Sequence, residues 1–196
     1  MCLEANREYK DSAFRMIFKE PEYASELCAS VLGEKVAPEE IVVESAGGIF
    51  TNELQHDVAF RIKNRLLFIL EHQSTWNENM PIRMTIEVAE LYHRYIKSIG
   101  KRTIYRRNRI PLPAPEFLVF CNGKASNPPV KELRLSDAFE TEESNLECVV
   151  KVYDISYESN QEILQTCPAI RGYSLLVYET ELGKAQGLGA EAAIRR

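Results

Sequence analysis

The chain has 196 residues, 45% hydrophobic and 27% charged, the composition of an ordinary globular domain with enough apolar residues for a real core. No apolar run approaches the roughly 18 residues of a membrane span, and the opening residues lack the apolar stretch of a secretion signal. Five scattered cysteines without CxxC pairing point to reduced thiols in a cytoplasmic protein, and a formal net charge of −5 excludes a chain that is basic throughout.

Taken in order, Asp11 is followed by Phe14, Ile17 and Phe18 at helical spacing. Pro21 suits the first turn of a second helix with Leu27, Cys28, Val31 and Leu32 on its apolar side and Gly33 just past its end. Ile41–Val43 is a short strand candidate, and Gly47-Gly48 breaks the pattern before Asn52. In Asp57–Ile62, Val58, Phe60 and Ile62 alternate with Asp57, Ala59 and Arg61, as in a half-buried strand. Lys63-Asn64-Arg65 reads as a turn, because Asn tolerates positive φ. Leu66–Leu70 is an unbroken apolar run, as expected of a strand covered on both faces.

Glu71 and Gln73 follow that run, two residues apart and therefore on one face. A three-residue turn pairs Phe60 with Phe68, Val58 with Leu70 and Asp57 with Glu71. Directly opposed residues share a side, with Cβ atoms roughly 4.5–5.5 Å apart. Two carboxylates there are a costly pair unless a cation lies between them. Carboxylate and amide oxygens suit Mg²⁺ or Mn²⁺ better than zinc. Spacing alone leaves a second reading open, an edge strand ending at solvent in ordinary polar residues. A one-residue change of register would put Asp57 and Glu71 on opposite faces.

Met80–Ile99 reads as a long helix with Pro81 in its first turn and Gly100 beyond its end. Ile82, Ile86, Ala89, Tyr92 or His93, and Ile96 are expected to trace its buried side. From Arg94 to Arg109 the chain carries seven cations (Arg94, Lys97, Lys101, Arg102, Arg106, Arg107, Arg109) and no Asp or Glu. A basic stripe on an acidic body signals nucleic acid, although a solvated helix end and loop has the same composition. Ile110–Pro115, with three prolines, is an extended connector to a buried strand, Glu116–Cys121, which ends at the turn signal Asn122-Gly123. Leu133–Phe139 and Leu146–Ile155 are further strand-like runs, and Glu162–Gln165 and Ala169–Leu182 are helical. His56, His72 and His93 do not make a metal triad, since His72 points away from Glu71 in a strand. Neither a G-x-S-x-G context nor a Gly-rich phosphate loop is present, which weighs against serine hydrolase and nucleotidase chemistry.

The order Asp57, thirteen intervening residues, then Glu71-His72-Gln73 resembles the PD-(D/E)XK nuclease signature, with Gln in place of the usual Lys. DSAFRMIF, NELQHDVAFRIKNRLLFILEHQST, NENMPIRMTIEVAELYHRYI, PAPEFLVFCNG, LRLSDAF and SNQEILQTCPAIRGYSLLV are similar to the bacterial recombination-promoting nuclease / putative transposase family of that superfamily. The resemblance covers nearly the whole chain. It implies a restriction-endonuclease-like α/β fold, a mixed β-sheet flanked by helices, in a nuclease-like domain over 1–155. A helical C-terminal appendage over 156–196 is expected to end earlier than is usual in the family and to dock a partner or a second copy, giving a homodimer.

The activity implied is that of a Mg²⁺- or Mn²⁺-dependent DNA endonuclease linked to recombination or mobile elements. Asp57 and Glu71 would hold the ion, with the backbone carbonyl of His72 as a further ligand, and Gln73 would position the water. Asp11 matches the family's near-start acidic residue and would aid metal or water binding, or else cap its helix. Arg83 corresponds to a family arginine that holds a phosphate or orients Glu71; otherwise it pairs with Glu87 at i,i+4. The Arg94–Arg109 stripe would hold the DNA backbone. Because Gln73 carries no charge and is no base, the rival expectation is a nuclease-fold protein that binds DNA or a protein partner without cleaving. A purely structural α/β protein is the third.

Overall fold

The computed structural model describes residues 10, 12–44, 57–62, 65–72, 77–100, 103–122, 130–141, 144–159 and 161–187. A first helix, α1 (12–18), leads into α2 (Pro21–Leu32) and then the strands β1 (Ile41–Glu44), β2 (Asp57–Ile62) and β3 (Arg65–His72), paired antiparallel in turn. Helix α3 (Met80–Ser98) returns the chain so that β4 (Ala114–Cys121) runs parallel to β3. After β5 (Val130–Arg134), strand β6 (Val149–Asp154) inserts parallel to β4, with β5 antiparallel on its outer side. The result is one six-stranded mixed sheet, in the order β1-β2-β3-β4-β6-β5. Helices α4 (Glu162–Thr166) and α5 (Pro168–Ala185) close the described chain.

Parallel strands at the centre of a sheet must be covered on both faces, and alternation along β4 shows how. Leu118 and Phe120 enter one core with Phe14, Phe18 and Phe60, whereas Phe117, Val119 and Cys121 enter the other, with Met80 and Met84 of α3. The first core is aromatic: the Phe14 ring lies 4.6 Å from Phe18 and 5.3 Å from Tyr173, the latter nearly edge-on at 80°. Such tilted and edge contacts suit the ring quadrupoles.

The predicted punctuation of α2 is present. Pro21 sits in its first turn, and Gly33 adopts φ 69° so that its N–H donates to the Ala29 carbonyl at 2.9 Å, closing the helix. The buried cysteines Cys28, Cys121, Cys148 and Cys167 are free thiols serving as small hydrophobes.

Four expectations are corrected. First, the C-terminal helices are no appendage. Ile170, Tyr173 and Val177 of α5 share the core of Phe14 and Phe120, and the Ser174 hydroxyl donates to the Ile155 carbonyl. Apolar residues at helical spacing there satisfy the exposed side of the sheet, so the segment is a layer of the domain and not a free docking arm. Second, α3 buries Met80, Met84 and Glu87, with Val88 and Leu91 half-buried, while Ile82 and Ile86 are 38% and 56% exposed. Flexible thioethers fill the uneven gap over a twisted sheet better than β-branched side chains do. Third, the Leu133–Phe139 run leaves the sheet after Arg134 and becomes a 3₁₀ turn at Leu135–Ala138. Fourth, Ile62 pairs with Arg65, so Arg65 opens β3 and is not part of the expected three-residue turn.

Candidate functional site

That fourth correction bears directly on the acidic pair. Backbone pairing runs from Ile62 with Arg65 to Asp57 with Leu70. Pairing at the strand end leaves the Arg65 guanidinium 3.5 Å from Glu34 and 3.4 Å from Glu116. Opposed residues share a side and neighbours alternate. Position 57 therefore lies on the face of Leu70, and position 71 lies on the other. Across β4, Leu70 is level with Val119 and Glu71 with Phe120, so position 57 belongs to the α3 face and position 71 to the face of α1, α2 and α5. Both remain at the same end of the hairpin, since Asp57 opens β2 and Glu71 is the penultimate residue of β3. The expected direct opposition of the two carboxylates is not the register found. The side chains at 57, 71 and 72, together with Asp11 and Gln73, lie outside the described residues.

At the same end of the sheet, His72 of β3 is level with Cys121 of β4, and Cys121 with Asp154 of β6. This row crosses the carboxyl ends of three parallel strands, where open α/β sheets bind their ligands. Asp154 is 2% exposed. Its Oδ1 accepts from the Ser156 backbone N–H (2.9 Å) and hydroxyl (2.6 Å), while Oδ2 has no hydrogen bond.

A second buried carboxyl faces the sheet from α3. Glu87 is 2% exposed and neither oxygen has a hydrogen bond. The nearest charge is the Arg83 guanidinium, 3.9 Å away, whose other nitrogen donates weakly to the Met80 sulfur at 3.8 Å. Burial pushes the Glu87 carboxyl up to about 7; Arg83 opposes that rise, and Glu90 adds to it. Among the described residues, then, the carboxylate that Arg83 meets is the one four residues along its own helix.

The cationic stripe sits at the far end of α3 and beyond it. Gly100, at φ 106°, ends the helical run, and a 3₁₀ turn at Thr103–Tyr105 follows. Lys97, Arg106, Arg107 and Arg109 are exposed, and none of the four has an ion pair with another described residue. Arg94 is half-buried. Lys101 and Arg102 lie outside the described residues. Beside these cations stand Tyr105, 83% exposed, Ile104, 50%, and Ile99, 44%.

Among the described residues no three His, Cys, Asp or Glu side chains gather as a metal-holding group, a set that leaves out the side chains at 57, 71 and 72. Nor is any described helix long and apolar enough to cross a membrane. No protein-family model matches the chain, and no curated protein or solved structure is significantly similar to it.

Sequence reasoning did not single out Asp154 and passed over Glu87 except as a partner for Arg83. A lone Asp closing an apolar run two residues before Ser, as in VYDIS, marks a side chain that can satisfy its own turn. Glu87 gave no such mark, because a glutamate in a helix ordinarily reads as solvent-facing.

Proposed function

We propose that this protein acts on DNA as a metal-dependent endonuclease of the recombination-promoting nuclease type that its sequence resembles. The observation that carries the proposal is the exposed cationic surface: Lys97, Arg106, Arg107 and Arg109 have no acidic partner among the described residues and no acid within the Arg94–Arg109 window. Free cations on a chain of net charge −5 suit a polyanion held by its phosphates. The mixed sheet flanked by helices, with Asp57 and Glu71 at one end of adjacent strands, is compatible with the resembled fold.

The residues that would hold Mg²⁺ or Mn²⁺ are Asp57, Glu71 and the carbonyl of His72. Bound there, the ion would acidify a water and offset charge at the leaving 3′ oxygen. Gln73 would orient that water and Arg83 would steady a phosphate. With four exposed cations, log affinity should fall against log salt with a slope on the order of −4.

A second reading, a nuclease-like protein that binds DNA without cleaving it, is favoured by one observation: Asp57 pairs with Leu70 and not with Glu71. A plasmid-nicking assay with Mg²⁺ or Mn²⁺ separates the two. Cleavage by the wild type that is lost in both Asp57→Ala and Glu71→Ala supports the enzyme. Salt-sensitive binding with no cleavage supports the second reading, and no binding at all overturns both.

A further inference from the structure

We infer that Tyr105 is a stacking platform for an unpaired base, so that the cationic surface holds single-stranded DNA in preference to closed duplex. The inference rests on the DNA reading above and deepens it by naming the form of the nucleic acid. Three features carry it.

First, the Tyr105 ring is 83% exposed and has no hydrogen bond or ring partner among the described residues. It is also the most exposed of the described tyrosines: Tyr95 of α3 is 38% exposed, the Tyr92 hydroxyl donates to the Pro113 carbonyl, the Tyr178 hydroxyl meets Glu158 at 3.3 Å, and the Tyr173 ring packs on Phe14. Second, the ring has exposed apolar neighbours along the chain. Ile104 beside it is 50% exposed, and Ile99, at the end of α3, is 44% exposed. Third, Arg106 and Arg107 follow it directly in the chain and Arg109 comes two residues later, all exposed and without ion pairs to described residues.

An aromatic face set within free cations is the arrangement by which single strands are held: the cations track phosphates, and the ring stacks on a base of any sequence. Closed duplex offers the phosphates but hides the faces of its bases, so only the cations would engage it. Arginine adds to the effect through its own planar contact with bases. The short 3₁₀ turn at Thr103–Tyr105 fixes the backbone that presents the ring.

The test is fluorescence anisotropy of the full chain with labelled oligodeoxythymidine and with a closed hairpin duplex of equal phosphate number. The expected result is tighter binding of the single strand. Tyr105→Ala should lose roughly 5- to 150-fold on the single strand and leave the duplex unchanged. Tyr105→Phe, which keeps the face, should retain single-strand affinity. Arg106→Ala with Arg107→Ala should weaken both ligands and flatten the salt dependence. If duplex binding is salt-sensitive but Tyr105→Ala matches wild type on the single strand, the stacking role is wrong and the DNA reading stands. If the wild type binds neither ligand, the DNA reading fails and the stacking role with it.

Discussion

The Glu87 carboxyl is the group whose titration the fold should report most directly. It is 2% exposed, its oxygens have no hydrogen bond, and burial holds it near 7 against an ordinary value of 4.5. A carboxyl whose folded pKa is raised leaves the native state holding more protons than the unfolded chain between those two values. The contribution of this group to stability must therefore fall as pH rises from about 4.5 to about 7 and level off above it. At 1.36 kcal/mol per pH unit, the change attributable to this group is on the order of 3 kcal/mol. Glu87→Gln keeps the shape of the protonated carboxyl and removes the titration. Urea unfolding of both proteins across this range should show the variant gaining on the wild type by about that amount, with the difference levelling off only above about pH 7. A difference that stays flat with pH would refute the reasoning, because it would mean that Glu87 ionises at its ordinary pKa through water or a counter-charge. Arg83 is the described group placed to supply such a charge, and at 3.9 Å it opposes the shift without cancelling it.

Two further outcomes follow from the packing. Phe14→Ala removes a fully buried ring from the contacts with Phe18, Phe120 and Tyr173, and should cost about 3–5 kcal/mol in urea unfolding; a loss under about 1 kcal/mol would mean that the N-terminal helix does not dock on the sheet. Burial pushes the Cys28 thiol up to about 12 and the Cys167 thiol up to about 11, so neither should react with iodoacetamide in the native protein near pH 8, where an ordinary thiol titrates. Both should react in urea, and rapid native labelling of either would contradict their burial.

What could be read from the residues was whatever local pattern decides. β2 spans Asp57–Ile62 as its pattern predicts, with Phe60 and Ile62 buried around an exposed Arg61, α2 lies between Pro21 and Gly33, and α3 begins where Pro81 predicts and stops just before Gly100. What could not be read was decided by contacts from elsewhere in the chain. Helix α3 carries two apolar stripes at helical spacing, Ile82 with Ile86 on one side and Met80, Met84, Val88 and Leu91 on the other. Periodicity alone does not choose between them; the surface of β4 and β6 does, and it takes the methionines. The same choice carries Glu87 inward, and for that reason the most perturbed carboxyl among the described residues was not visible as one. Apolar spacing in α5 was plain, but its role as a core layer depends on Phe14 and Phe120, far away in sequence.

Register is the other property that local pattern leaves undetermined, and for the proposed metal site it decides the geometry. A turn one residue longer would exchange the partner of Asp57 from Leu70 to Glu71 and move a carboxylate through the sheet. Cysteine pairs can distinguish these arrangements, because a disulfide needs Cβ atoms about 3.5–4.5 Å apart. Asp57→Cys with Leu70→Cys places both on one face in directly paired positions. Asp57→Cys with Glu71→Cys places them on opposite faces. Under mild oxidation the first pair should close and the second should not, with the buried native thiols silent. Trypsin cuts after Arg61, Lys63 and Arg65, between the two introduced cysteines, so a closed bridge appears by mass spectrometry as two peptides held together. Closure of the second pair alone would restore the facing carboxylates and an ion held between the strands. Closure of the first confines any shared ion to the open end of the hairpin, beyond the last paired residue, where side chains leaving from opposite faces can still converge.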